Sequence, residues 1–166
     1  MKKAQYSQRG PVPQDVIGPV EFDLPPPGPG QATVAVLAAP INPSDVLTLT
    51  GEYGILPPLP AVGGNEGVGR VTAIAGDVTG LAIGQTVLLP VGCGTWTTHL
   101  NLAAKTLVPL PNDADPKQLA MLTVNPPTAM LMLSEFVDLQ AGEWVIQNAA
   151  NSAVGGYVNQ LAALRG

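Results

Sequence analysis

The chain has almost none of the side chains that build metal sites or nucleophilic triads. It contains one cysteine, Cys93, and one histidine, His99. A zinc site needs three or four converging ligands, so the sequence predicts no metal site. A single cysteine cannot form an internal disulfide, which fits a reducing compartment. A Ser-His-Asp or Cys-His catalytic arrangement cannot be argued, because Gly-x-Ser-x-Gly is absent and His99 has no obvious partner.

Positive charge and long apolar runs are also scarce. Seven Lys and Arg against twelve Asp and Glu give a net charge of −5. This balance excludes nucleic-acid binding, which needs a basic footprint. No window approaches about 18 uninterrupted apolar residues, and no apolar segment follows the two N-terminal lysines. We therefore expect no membrane span and no signal peptide, and we predict a cytoplasmic protein.

What the chain does contain is typical of short strands separated by turns. Hydrophobic residues make up 46% of the sequence, and its 19 Gly and 18 Pro lie dispersed between apolar runs. Such a pattern favours a small barrel or sandwich. We predict an irregular strand pair within residues 1–24 and five further strands at residues 32–39, 67–75, 85–89, 95–102 and 106–110.

Helical patterns appear at two places. Asn42-Pro43-Ser44-Asp45 predicts a helix start, with Ser44 or Asp45 as the cap of residues 46–50. Beyond Asp113 the character changes, and we predict helices over residues 116–124 and 128–136. The second of these is apolar on nearly every side, so we expect it to be buried between two layers.

The last residues, from Glu143 onward, combine a strand, a turn and a helix. Trp144–Ile146 predicts a buried strand, residues 148–156 are small and turn-forming, and the apolar residues that follow recur at helical spacing. This unit opens dinucleotide-binding domains, in which phosphates lie at a helix N-terminus. Alanines replace the first two glycines of G-x-G-x-x-G, so the motif alone is weak. Asn151 and Ser152 are candidate phosphate or ribose contacts, and the alternative is that Asn151 only caps the helix.

Two further residues are candidates for the site. Tyr53 lies in the loop Gly51–Gly54, where a phenol can give a proton or a hydrogen bond to a developing anion. The alternative is an aromatic residue that anchors the loop. Asn125 precedes Pro126 and Pro127, and its amide would bind a ribose hydroxyl or, as the safer assignment, cap the next helix.

Together these elements resemble the medium-chain dehydrogenase/reductase superfamily, and in particular its NADPH-dependent trans-2-enoyl thioester reductases. The matching segments are INPSD, GEYGILPPLPAVGGNEGVG, GTW, TVNPPTA and VIQNAANSAVG, at residues 41–45, 51–69, 94–96, 123–129 and 145–155. Zinc-dependent members carry a histidine where Asn65 stands, so the likeness is to the zinc-free branch.

The resemblance implies a mainly β fold with an α/β C-terminal unit. Residues 1–113 would form a GroES-like β-barrel, residues 114–140 connecting helices, and residues 141–166 the first βα unit of a truncated Rossmann domain. About 100–150 further residues are expected in the intact protein. They would supply the neighbouring strands, without which both edges of the strand at residues 144–149 stay unpaired.

The resemblance also implies an activity. The intact protein would reduce the α,β double bond of an enoyl thioester, carried by coenzyme A or by acyl carrier protein, in fatty acid synthesis. Tyr53 would be the proton donor, and NADPH would contact Asn125, Asn151, Ser152, Ala153 and Val154. The intact enzyme would be a homodimer, and the 166-residue chain alone would be inactive.

Two other functions remain open at this point. A zinc-free quinone or alkenal reductase of the same superfamily would share the fold and the hydride donor. A non-catalytic GroES-like fragment is the alternative from another class.

Overall fold

The computed structural model describes every residue from 1 to 166. The chain divides into two compact units, residues 1–120 and residues 121–166. All strands belong to the first unit, and two of the four α-helices belong to the second. The predicted domain bounds at residues 113 and 140 concern the intact protein and stay a prediction.

The elements are named in chain order. The strands are β1 (Lys2–Tyr6), β2 (Ile17–Glu21), β3 (Gln31–Ala38), β4 (Ala61–Val62), β5 (Val68–Ile74), β6 (Thr86–Leu88), β7 (His99–Ala103) and β8 (Val108–Leu110). The α-helices are α1 (Pro43–Thr50), α2 (Pro116–Leu119), α3 (Asn125–Ser134) and α4 (Ala153–Arg165). Two single 3₁₀ turns cover Pro13–Asp15 and Ala104–Thr106.

Five strands form an antiparallel sheet in the order β7-β3-β5-β6-β8. Alternate residues of a strand face the same side, so Ala32 and Val34 of β3 both point into the core. Val34 lies opposite Val71 of β5 and Leu100 of β7 in the two ladders. These side chains and their neighbours from β6 and the following loops form the apolar core of the first unit.

The remaining three strands form a second sheet in the order β2-β1-β4. The segment before β7 joins the two sheets through backbone hydrogen bonds. Ala4 N–H donates to the Trp96 carbonyl and Thr98 N–H donates to the Lys2 carbonyl, each at 2.8 Å. The mainly β architecture predicted from the dispersed glycines and prolines is therefore present. Strand β4 was not predicted, because it has only two residues and follows a proline-rich segment.

Helix α1 begins three residues earlier than predicted, at Pro43 instead of residue 46. Its N-cap is Asn42, in an extended conformation (φ −99°, ψ 157°), and Pro43 occupies the first helical position. Ser44 and Asp45 are thus inside the helix, and the prediction that one of them caps it is wrong. Proline has no N–H to lose at the first position, which fixes the start of the helix there.

In the second unit, α3 and α4 pack through Ala129, Leu133 and Val158, which are buried. Arg165, near the end of α4, donates a hydrogen bond to the Leu133 carbonyl near the end of α3, at 2.6 Å. This bond joins the last turns of the two helices. None of the chain's helices has the length and apolarity that crossing a lipid bilayer requires.

Two expectations for this unit are wrong. Residues 144–146 form no strand, and the exposed fractions of Trp144 and Ile146 are 92% and 97%. No other strand of the chain pairs with them, and an extended segment needs such neighbours to satisfy its backbone and bury its side chains. Helix α3 is also not buried on all sides, because Met130, Leu131 and Met132 are each at least half exposed.

Candidate active site

Tyr53 lies in the loop that follows α1. The N–H groups of Gly51, Glu52 and Tyr53 all donate to the Leu47 carbonyl, at 3.0, 2.9 and 3.1 Å. Gly51 adopts a left-handed conformation (φ 88°), which is the usual way for a helix to end. The Tyr53 side chain is 41% exposed, and its hydroxyl has no hydrogen-bond partner within the chain. The phenol is therefore accessible to a bound molecule, while its backbone is tied to the last turn of α1.

A buried polar network lies at the other end of α1. Asp45 is 3% exposed, and its two carboxylate oxygens accept the N–H of Asn42 at 2.7 Å and the N–H of Asn65 at 3.0 Å. The Asn42 side-chain amide donates to the buried Glu66 carboxylate at 2.8 Å. Burial raises the pKa of the Asp45 carboxyl, and the hydrogen bonds from Asn42 and Asn65 act against that rise. The network joins the start of α1 to the turn at residues 63–67.

Two glycines of that turn allow close packing by Trp96. A Cβ atom on Gly63 would lie 2.2 Å from the indole Cε3, and one on Gly64 would lie 2.4 Å from Thr95 Oγ1. Gly64 also has a positive φ of 94°, which disfavours other residues. The Trp96 Nε1–H donates to the Pro40 carbonyl at 3.1 Å. Gly63 and Gly64 therefore pack directly against Thr95 and Trp96 of the GTW segment.

In the second unit, the turn before α4 has the features of a phosphate-binding turn. Ala149 is the one non-glycine residue with a positive φ, 49°, and it directly precedes the six residues, 150–155, that align with the fingerprint. A Cβ on Gly155 would lie 2.7 Å from the Ala149 carbonyl oxygen, so the helix packs closely against the turn. The Ser152 hydroxyl accepts the Gly155 N–H at 3.1 Å and caps α4. Asn151 is therefore not the cap.

The remaining candidates lie at or beside the start of a helix. Asn151, Ser152 and Ala153 are exposed, whereas Val154 is half-buried and packs against the core of the second unit. Asn125 is the first residue of α3 and does not cap it, because the N-cap is Val124.

Comparison with known proteins gives the family. The profile of the Alcohol dehydrogenase GroES-like domain matches residues 28–112, just over half of the chain. The chain belongs to this family. The likeness predicted to the zinc-free medium-chain dehydrogenases/reductases is confirmed, as is the fold class of a GroES-like barrel followed by a truncated α/β unit.

Similar proteins include enoyl reductases. The mitochondrial enoyl-[acyl-carrier-protein] reductase of Homo sapiens is 51% identical over 134 residues, which cover 80% of this chain and 36% of that protein. The mitochondrial 2-enoyl thioester reductase Etr1p/Etr2p heterodimer from Candida tropicalis superposes with a TM-score of 0.91 at 33% identity, covering 99% of this chain and 51% of that one.

Two more solved structures are similar. The complex of Etr1p with NADP and crotonyl-CoA has a TM-score of 0.87 at 33% identity, over 98% of this chain and 51% of that chain. A putative NADPH:quinone reductase from Bacillus thuringiensis has a TM-score of 0.88 at 34% identity, over 99% and 49%. The chain thus spans about a third of the human relative and about half of the solved structures.

The predicted cytoplasmic location is wrong. Both the human relative and the Candida tropicalis reductase are mitochondrial proteins. The prediction rested on a lone cysteine and on the absence of an apolar leader. A lone cysteine fits any reducing compartment, so it does not single out the cytoplasm.

Proposed function

We propose that the chain is the N-terminal, catalytic-domain portion of an NADPH-dependent 2-enoyl thioester reductase. The intact enzyme reduces the α,β double bond of an enoyl group in fatty acid synthesis. The observation that carries the proposal is the exposed, unpartnered hydroxyl of Tyr53, held at the end of α1. Tyr53 lies in a chain that is 51% identical, over 134 residues, to the human mitochondrial enoyl-[acyl-carrier-protein] reductase.

Tyr53 supplies the proton in this proposal. Reduction of the double bond places negative charge on the thioester carbonyl, and a phenol can stabilise that charge and protonate Cα. Because the Tyr53 hydroxyl is exposed, it has only to exchange water for the substrate. The three N–H groups that converge on the Leu47 carbonyl keep the loop in one conformation.

The residues before α4 fit a dinucleotide. Ala149, directly before the residues that align with the fingerprint, takes a left-handed conformation, and no side chain fits at Gly155. The first-turn N–H groups of α4, including those of Ala153 and Val154, have no partner within the helix and attract a pyrophosphate. Asn151 and Ser152 are exposed beside them, and the amide of Asn125 would reach a ribose hydroxyl. When bound, NADPH supplies the hydride.

The carrier and the assembly belong to the same proposal. The substrate is an acyl thioester of coenzyme A or of acyl carrier protein, and the intact enzyme forms a homodimer. The crotonyl-CoA complex of Etr1p supports the coenzyme A thioester, and the Etr1p/Etr2p heterodimer supports an oligomer.

Replacement of Tyr53 in the full-length enzyme tests the mechanism. We expect Tyr53→Phe to lower kcat for crotonyl-CoA reduction by about 10²-fold, the usual contribution of a positioned acid. The KM for NADPH should change little, because Tyr53 contacts no cofactor in this proposal. Tyr157→Phe removes a hydroxyl from the second unit and serves as the control. Unchanged turnover in Tyr53→Phe would remove Tyr53 as the proton donor.

A quinone or alkenal reductase is the second candidate, favoured by the likeness to the Bacillus thuringiensis protein. Substrate profiling of the full-length enzyme separates the two. Reduction of crotonyl thioesters with NADPH supports the first proposal. Activity with quinones alone would contradict it.

A non-catalytic domain is the remaining alternative, and calorimetry on the 166-residue chain tests it. One βα unit offers few contacts to a dinucleotide, so we expect no NADPH binding tighter than about millimolar. The full-length protein should bind NADPH far more tightly. If it does not, the domain has no catalytic role.

A further inference from the structure

We propose that Asp45 is a positioning residue that fixes α1, and with it the Tyr53 loop, against the turn at residues 63–67. This inference rests on the proposed function, because it names what holds the proton donor of that reaction. It begins from the two hydrogen bonds of the buried Asp45 carboxylate, one to each of two separate segments.

Each oxygen of Asp45 has a different backbone partner. Oδ2 accepts the Asn42 N–H within α1's own first turn, at 2.7 Å, whereas Oδ1 accepts the Asn65 N–H from a turn 20 residues away, at 3.0 Å. A second bond, from the Asn42 side chain to Glu66, joins the same two segments. The start of α1 is therefore held to the barrel by two hydrogen bonds, and Asp45 makes one of them.

The other end of α1 carries Tyr53. The Leu47 carbonyl accepts three N–H groups, including that of Tyr53, so the loop follows any movement of the helix. Leu49 is buried, and its carbonyl accepts the Gly10 N–H at 3.2 Å. An eight-residue helix is about 12 Å long and behaves as a short rigid rod. With Leu49 as the pivot, a change of helix tilt at Asp45 moves the Tyr53 loop at the opposite end.

Asp45→Asn is the decisive variant, made in the full-length enzyme. An amide has one acceptor oxygen, so its NH₂ group must face the N–H of either Asn42 or Asn65. One of the two links is then lost without a change of side-chain size. We expect kcat for crotonyl-CoA reduction to fall by about 10- to 100-fold, as misplacement of a catalytic group by about 1 Å does. The KM for NADPH should stay within about twofold, since Asp45 contacts no cofactor.

A spectroscopic measurement follows Tyr53 without using activity. Fluorine-19 spectra of the 3-fluorotyrosine-labelled enzyme contain one signal for each tyrosine, and Tyr53→Phe identifies that of Tyr53. We expect Asp45→Asn to shift or broaden the Tyr53 signal and to leave that of Tyr157 in place. Asp77→Asn is the matched control. Both oxygens of exposed Asp77 accept the single Gly30 N–H, so its amide keeps an acceptor for that bond.

The outcomes separate the two proposals. An unchanged Tyr53 signal, or wild-type kcat, in a folded Asp45→Asn enzyme overturns the positioning role. If the wild-type enzyme reduces no enoyl thioester, the proposed function fails, and the fluorine signal alone decides for or against Asp45. If Asp45→Asn does not fold, Asn42→Ala, which breaks the link to Glu66, takes its place. It must then shift or broaden the Tyr53 signal relative to that of the wild-type enzyme, and an unmoved signal overturns the inference.

Discussion

The central strands of residues 1–120 bury apolar side chains in a core, whereas residues 121–166 leave those of an equally apolar segment exposed. In the first unit Val34, Val68 and Val87 are completely buried. In the second, Trp144 and Ile146 are more than nine-tenths exposed. Composition does not explain this difference, because both units contain short runs rich in Val, Ile and Leu.

The difference lies in the neighbours of each segment. Strand β3 has a ladder partner on either side, β5 and β7, and their side chains cover its inner face. Residues 144–146 have no ladder partner in the chain. A buried strand therefore needs an apolar sequence and also neighbouring strands that pair with it. Those neighbours are often distant in sequence.

The helices of the second unit form because their requirements are local. Ser152 caps α4 from within its own turn, and α3 needs only α4 to bury Ala129 and Leu133. Helix hydrogen bonds close within four residues, so they do not depend on distant partners. The same 46-residue unit therefore contains well-formed helices beside an unpaired extended segment.

Amide hydrogen exchange on the 166-residue chain should give the largest contrast between the two units. We expect the amides of β3 and β5 to exchange at least about 10³-fold more slowly than those of residues 144–146. Strand amides exchange only when the barrel opens, whereas the others need no opening. Mass spectrometry of peptides from each region measures both rates.

Equal protection of the two regions would contradict the proposed difference between the paired strands and residues 144–146. Protection of residues 144–146 that rises with protein concentration would show instead that a second copy pairs with their open edge.

How far the sequence predicts the structure follows the same division. Apart from β4, the strands of the first unit were located to within a few residues, because glycines and prolines separate them. The start of α2 was also predicted, since Asp115 caps it and Pro116 takes the first helical position. These signals act over a few residues and can be read directly.

The buried polar network could not be predicted in the same way. Asp45 was interpreted as a helix cap, and nothing in the sequence indicated its bond to Asn65, 20 residues on. The glycines at positions 63 and 64 indicated a close approach, but not that Trp96 is the group that approaches. Contacts across the barrel depend on the fold, so only the residue types could be predicted.

The reactivity of Cys93 probes the closure of the barrel. Burial raises the pKa of its thiol to about 11. Only the thiolate reacts with iodoacetamide, so at pH 8 we expect alkylation about 10²-fold slower than for an exposed cysteine. A Cys93→Ala/Leu164→Cys double variant provides that reference, since Leu164 of α4 is 83% exposed. Comparable rates at the two sites would show that the barrel opens readily around Cys93.

Removal of a helix cap should have the smallest effect. It compares the stability of the first unit with that of the second. Ser152 and Asp115 each accept a backbone N–H at the start of a helix, the first in α4 and the second in α2. Replacing either by alanine typically costs about 1 kcal/mol. Asp115→Ala should lower the free energy of unfolding of the first unit by this amount, because α2 belongs to that unit. The loss is measured as a lower urea midpoint. For Ser152→Ala we expect an unchanged barrel midpoint and faster hydrogen exchange confined to the first turn of α4. A lowered barrel midpoint in Ser152→Ala would show that the two units unfold together, and the contrast drawn between them would then concern their strands alone.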